Sequence, residues 1–414
     1  MTPENKKLTR RDFIKDAGIG GISTLVSLAT GGLVGNLMAQ DATPTETPKP
    51  EIPPMPKRPF GKTGVNVSIL AVGGITDFTT NQIILKKSLD WGINYWDTAD
   101  CYNGGNSEIG IGQFFEKNPD ARKKVFLVSK SCERSLDGMS KLLARSFERM
   151  KTDYIDLYFI HGISNIKEMA PEMKDWAEKM KKEGKIKFFG FSTHKNMAEL
   201  LQMAPSLGFI DGIMMTYNYR IMHKDDMKKG VEECQKAGIG LTAMKTQGGG
   251  QVKTDTEEEL KLAGQFIQKG YTPHQAKLKA VWQNPAIATI CSAMYNLTVL
   301  SANVAAAVDN TKLELSDLME LKTYAAKNCS GYCAGCASIC DAAMGRDSHI
   351  ADVMRYVMYQ KEYGDAEMAR REFASLPEGV RYSLRHLDFA AAERACPQKM
   401  PIGKIMREAA DLLA

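Results

Sequence analysis

Eight short apolar stretches recur along the middle of this chain, at 67–72, 93–97, 125–130, 155–161, 187–192, 212–217, 240–245 and 287–292. Between them lie segments such as 140–150, 168–182 and 225–237, whose apolar residues return every three or four positions. Short continuous apolar runs read as buried strands, and the longer period reads as amphipathic helix. Alternation of the two predicts an α/β protein with a parallel sheet. Eight such units predict a (β/α)8 TIM barrel, closed by its own strands. The competing doubly wound sheet wants a GxGxxG turn after its first strand, and Gly73–Gly74 followed by Ile75 and Thr76 does not supply one. In a barrel the C-terminal strand ends converge on one face, so polar residues at those ends are the candidates for chemistry.

Three of the stretches end on such residues. In GINYWDTADCY (92–102) Asp97 closes a strand, and Tyr102 follows in the loop. VFLVSK closes on Lys130 and IDLYFIH on His161. Each residue alone has an ordinary reading: Asp97 as a loop cap, Lys130 as a solvated charge, His161 as a hydrogen-bonded core imidazole. Asp, Tyr, Lys and His delivered in that order from successive strand ends resemble the active-site tetrad of the aldo-keto reductases, and the resemblance covers residues 59–312. Reduction of a carbonyl by hydride needs a proton for the developing alkoxide. Tyr102 is positioned to give it. A free phenol titrates near 10, so Lys130 is expected to lower that value and Asp97 to hold Lys130 in place. His161 would polarise the substrate oxygen or assist the proton.

The same resemblance implies a nicotinamide cofactor, NADP(H) or NAD(H), and a small-molecule carbonyl or alcohol substrate. Gly74, in the turn after the first strand, is one expected contact. Ser192 matches the first residue of the family's carboxamide-holding pair, but Thr193 and His194 follow it. The family's strand glutamine is replaced by Met214, and its nicotinamide-stacking aromatic by Met244, followed by Lys245. Ser292 and Asn303 are similar to the family's phosphate and adenine contacts. The arginine that would grip a 2′-phosphate is missing, so the residues do not choose between the two nucleotides.

Residues 313–414 depart from a plain reductase. CSGYCAGCASIC places cysteines at 329, 333, 336 and 340, and a lone Cys396–Pro397 follows. Disulfides at that spacing would be strained, and structural zinc pairs use a longer intervening loop. The run resembles a ferredoxin-type module with an iron–sulfur cluster of the 4Fe-4S kind. In two-cluster ferredoxins the fourth cysteine of each run serves the other cluster. By that likeness Cys329, Cys333 and Cys336 join Cys396, and Cys340 is a remnant; Cys340 as the fourth ligand stays open. The expected C-terminal domain is therefore small, helical and iron–sulfur binding, with a redox partner implied.

TRRDFIK (9–15) followed by an apolar, glycine-rich run reads as a twin-arginine export signal over residues 1–40. The glycines make that run a poor permanent membrane span, because each weakens a helix. Cleavage after Ala39 is expected, and an uncleaved anchor is the alternative. A proline-rich linker, 41–58, joins it to the barrel. The net charge of +5 over 414 residues is spread along the chain, which argues against nucleic acid as a partner. Among the other cysteines, Cys101 and Cys132 follow neighbouring strand ends, which leaves a packed, a disulfide-bonded and a reactive pair all open.

Overall fold

The eight strands close into a barrel in the computed structural model, which describes residues 53–249, 257–327 and 332–414. A short antiparallel hairpin comes first, β1 (Lys57–Pro59) with β2 (Asn66–Ser68). The barrel strands are β3 (Leu70–Gly73), β4 (Tyr95–Asp97), β5 (Phe126–Ser131), β6 (Ile155–Ile160), β7 (Ile186–Thr193), β8 (Gly212–Thr216), β9 (Gly240–Met244) and β10 (Ile287–Ala293). Each pairs in parallel with its chain neighbours, and β10 returns to β3 to close the ring. All eight C-terminal ends therefore open on one side, as the alternating pattern requires.

The first expected strand, 67–72, is divided. Asn66–Ser68 turns back on Lys57–Pro59, and the barrel begins only at Leu70. The hairpin also takes residues 57 and 58 from the expected linker. Its tip, Phe60, is fully buried among Tyr95, Phe126 and the other side chains that fill the barrel. A Cβ on Gly240 would stand 2.5 Å from the Phe60 ring, so glycine at the start of β9 makes room for this plug. Burying such a side chain contributes about 1.5–3 kcal/mol.

Among the described residues, seven helices follow the last barrel helix, from Leu315–Lys327 to Ile402–Leu412. Those after Cys336 surround an apolar core of their own, which includes Ile350, Val353, Phe373, Leu384 and Met406. Residues 55–414 form one compact unit. The helical part grips the barrel through polar contacts. Asn196 N donates to Gly335 O at 2.7 Å, Asn218 Nδ2 to the Tyr332 hydroxyl at 2.8 Å, and Lys195 Nζ pairs with Asp352 at 2.8 Å. Gly335, at φ 76°, lies so close to His194 O that a Cβ would collide with it. Residues 1–40 and most of the expected linker lie outside the described residues, as does Cys329. Among the described residues no helix is long and apolar enough to cross a membrane.

Candidate active site

Lys130 is completely buried at the end of β5 and Asp97 nearly so at the end of β4. Parallel pairing of these strands sets Asp97 opposite Val128, two residues before Lys130. Lys130 Nζ donates to Asp97 Oδ1 at 2.6 Å, to Thr98 O at 2.7 Å and to the Tyr102 hydroxyl at 3.3 Å. The ammonium also stands 4.6 Å from the Tyr102 ring centre. His161, the first residue past β6, meets that ring edge-on at 5.5 Å. The four residues expected from strand ends are thus gathered in one place.

Burial raises the Asp97 carboxyl, and the Lys130 charge and hydrogen bond oppose the rise. Tyr102 corrects an expectation. Its phenol lies well above the usual value, first through burial and then through the Asp97 charge, instead of being lowered by Lys130. Burial dominates because it disfavours the phenolate, and Lys130, at 2.6 Å from Asp97 and 3.3 Å from the phenol, is engaged first by the carboxylate. Tyr102 is therefore held in the protonated form, the one that donates. His161 is pushed well below the usual imidazole value by burial and by the cations Lys130, Arg134 and Arg355, so its ring is neutral.

The expected cofactor residues fall into five sets. Ser292 and Asn303 meet, with Asn303 Nδ2 donating to Ser292 Oγ at 3.0 Å. Ser192 and Thr193 are buried and already engaged. Gly162 N donates to Ser192 Oγ at 2.9 Å, and Thr193 Oγ1 donates to Ile163 O at 2.8 Å. Met214 and Met244 belong to the apolar filling of the barrel. Gly74 packs where a Cβ would strike the Asp97 and Thr98 backbone, so its glycine keeps β3 close to the tetrad. Lys245, with φ 56°, holds its ammonium 4.5 Å from the Tyr359 ring centre and 5.1 Å from that of Tyr363.

That last contact was not legible in the sequence. The helix Ile350–Lys361 lies over the barrel mouth, where its Arg355 charge bears on both His161 and His194. Between it and the barrel is a cavity of about 290 Å³, walled by His194, Thr216 and Lys245 on one side and by Met354, Arg355 and Cys333 on the other. Residues of a helix separated by so many positions from the strand ends leave no local signal for the meeting.

Cys333, Cys336, Cys340 and Cys396 line a single small pocket with Ile350, Met354 and Ile402. Burial first, and then the neighbouring thiols, push Cys333 and Cys340 up to about 12. Four sulfurs in an apolar shell fit an iron–sulfur cluster by the chemistry of the donor set. Cys340, expected to stand aside, shares the pocket with the others.

The aldo/keto reductase family model matches residues 70–309. Among relatives, the uncharacterized oxidoreductase YqkF of Bacillus subtilis is 31% identical over 154 residues, 34% of this chain and 49% of its own. An aldo-keto reductase of Gibberella moniliformis is 29% identical over 187 residues, covering 42% of this chain and 53% of its own. The aldo-keto reductase yakc of Schizosaccharomyces pombe, whose name carries NADP(+), is 27% identical over 207 residues, covering 46% and 58%. The chain thus spans about half the length of these relatives. Among solved structures, the holo form of the aldo-keto reductase AKR11C1 from Bacillus halodurans superposes with a TM-score of 0.56 at 26% identity, covering 65% of this chain and 96% of that one. With a family match over more than half its length, and with that family's barrel, this chain belongs to the aldo/keto reductase family.

Proposed function

We propose that the chain reduces a small carbonyl compound, with Tyr102 as proton donor, Lys130 and Asp97 as the pair that positions it, and His161 as the group that polarises the carbonyl oxygen. The observation that carries this reading is the run of contacts from Asp97 through Lys130 to the Tyr102 hydroxyl, at 2.6 and 3.3 Å. A protonated phenol gives its proton to the developing alkoxide, and a neutral imidazole N–H lowers the cost of the charge forming there. The helix Ile350–Lys361 walls a cavity of about 290 Å³ beside the site with His194, Thr216 and Lys245, which leaves room for a small substrate. A bound nicotinamide dinucleotide would supply the hydride. Ser292, near the end of β10, and Asn303, on the helix Leu297–Val308 that follows, would hold its phosphate and adenine portions, and Gly74 would let it approach the strand ends.

The same proposal gives the C-terminal domain an iron–sulfur cluster held by Cys333, Cys336, Cys340 and Cys396, which would supply one-electron transfer. Residues 1–40 are proposed to direct export by the twin-arginine route, which carries folded proteins and so permits loading of both groups beforehand. Outside the cytoplasm a released nucleotide would not be replaced. Retention of the nucleotide through turnover is part of the proposal, and a redox partner would then renew its electrons.

Native mass spectrometry of the full chain, joined to a spectrophotometric assay with NADPH and NADH on a panel of small aldehydes and ketones, tests the reading. The expected result is one nucleotide carried through dialysis, four irons, and carbonyl-dependent oxidation of the reduced nucleotide. A chain that binds neither nucleotide at millimolar concentration and reduces no carbonyl would overturn it.

A further inference from the structure

Two thiols meet the Nδ1 side of the tetrad's His161 at the rim of the barrel mouth, and neither the proposed reduction nor the C-terminal cysteines use them. Cys101 lies in the loop after β4, Cys132 is the first residue past β5, and His161 the first past β6. Because the three strands are parallel neighbours, these positions are brought side by side. Cys101 Sγ and Cys132 Sγ are 3.0 Å apart, and they stand 3.6 and 3.3 Å from His161 Nδ1. Both thiols are exposed, so an ion can reach them from solvent.

We propose that Cys101, Cys132 and His161 bind one zinc ion, with a fourth position left open. Tetrahedral zinc with Zn–S of ~2.3 Å and Zn–N of ~2.0–2.1 Å sets sulfur and nitrogen about 3.6 Å apart and the two sulfurs about 3.8 Å apart. Both sulfur–nitrogen separations already lie close to that value. The sulfurs need to open by about 0.8 Å, whereas a disulfide bond of ~2.05 Å needs them to close by about 1 Å. A disulfide also leaves unexplained why one imidazole nitrogen faces both sulfurs. Thiolate and imidazole donors exclude calcium and magnesium, which take oxygen ligands. Two cysteines, one histidine and an open position make the donor set of a catalytic zinc site, since structural sites are closed by a fourth protein ligand.

Binding releases the two thiol protons to solvent and uses the Nδ1 lone pair of His161. A neutral ring ligated at Nδ1 carries its proton on Nε2, so the ion fixes the tautomer and leaves that N–H as a donor. The backbone around the ligands is braced for this. Arg134 donates to His161 O at 2.7 Å, and Cys132 N donates to Asp100 Oδ1 at 3.3 Å. The inference goes beyond the proposed reduction and stands on donor atoms alone.

Zinc and iron are to be counted by elemental mass spectrometry on the full chain, purified without oxygen and supplied with zinc. One zinc per chain is expected. The Cys101→Ser, Cys132→Ser double variant should lose that equivalent with its iron unchanged, while Cys336→Ala should lose iron and keep the zinc. Zinc-edge absorption on the parent chain needs no variant and should show two sulfurs at ~2.3 Å with lighter atoms completing the shell. Equal zinc in the parent and the double variant, a shell of four sulfurs, no zinc at all, or Cys101 and Cys132 that become alkylatable only after reduction would each overturn the site.

Discussion

Replacing Tyr102 by phenylalanine removes one oxygen and leaves nearly everything else in place. The ring keeps its edge-on contact with His161 at 5.5 Å and stays beneath the Lys130 ammonium at 4.6 Å. Lys130 retains Asp97 Oδ1 at 2.6 Å and Thr98 O at 2.7 Å, so no buried charge is orphaned. The stability cost should therefore be that of one hydrogen bond, about 1 kcal/mol. The kinetic cost should be far larger. Loss of a positioned proton donor typically lowers a rate by ~10²–10⁴. At 1.36 kcal/mol per decade that is ~3–5 kcal/mol of barrier. The suitable measurement is a single turnover with nucleotide bound beforehand, because product release sets the steady-state rate of many reductive enzymes. Nucleotide affinity, read by fluorescence titration, should stay within about threefold of the parent, since the phenol gives binding and transition state unequal help. Hydride transfer as fast in the variant as in the parent would refute the role of Tyr102 as acid.

Three further outcomes are expected. Asp97→Ala leaves the Lys130 ammonium buried without its carboxylate, which should cost about 3–5 kcal/mol in the free energy of opening at β4 and β5, read by native-state hydrogen exchange; a loss below about 1 kcal/mol would mean that Lys130 finds solvent. Asp352 is raised by burial but held well below the usual carboxylate range by His349, Arg355 and Lys195, while its hydrogen bond raises His349. Protection of the helix Ile350–Lys361 should therefore begin to weaken as pH falls below about 4, where the carboxyl of the opened state takes up a proton while the folded one does so only at much lower pH, and also as pH rises above about 6.5, where the imidazole of the opened state loses its charge while the folded one keeps it to higher pH; in Asp352→Asn both limbs should flatten, and unchanged limbs would clear this residue. Cys340→Ala and Cys396→Ala should each lose iron as severely as Cys336→Ala, because the three line one pocket; anaerobic iron and sulfide counts that spare Cys340→Ala would take Cys340 out of the ligand set.

Periodicity along the chain was enough to determine the barrel, because each strand or helix buries one face and the repeat of that face is a property of near neighbours. It was also enough to bring Asp97, Lys130 and His161 to one place, since parallel strands in a closed ring end on the same side. Where strands begin was less legible: Ser68 and Leu70 read as one run, and only the burial of Phe60 inside the barrel divides it. Only the tertiary structure decided the protonation of Tyr102, because burial sums over the whole fold while the sequence shows merely that a lysine is near. It alone brought Cys340 into the pocket of Cys396 and laid Arg355 and Tyr359 over the mouth. Those meetings join residues far apart in the chain. No local period encodes them, and they follow from the packing of one hydrophobic core against another.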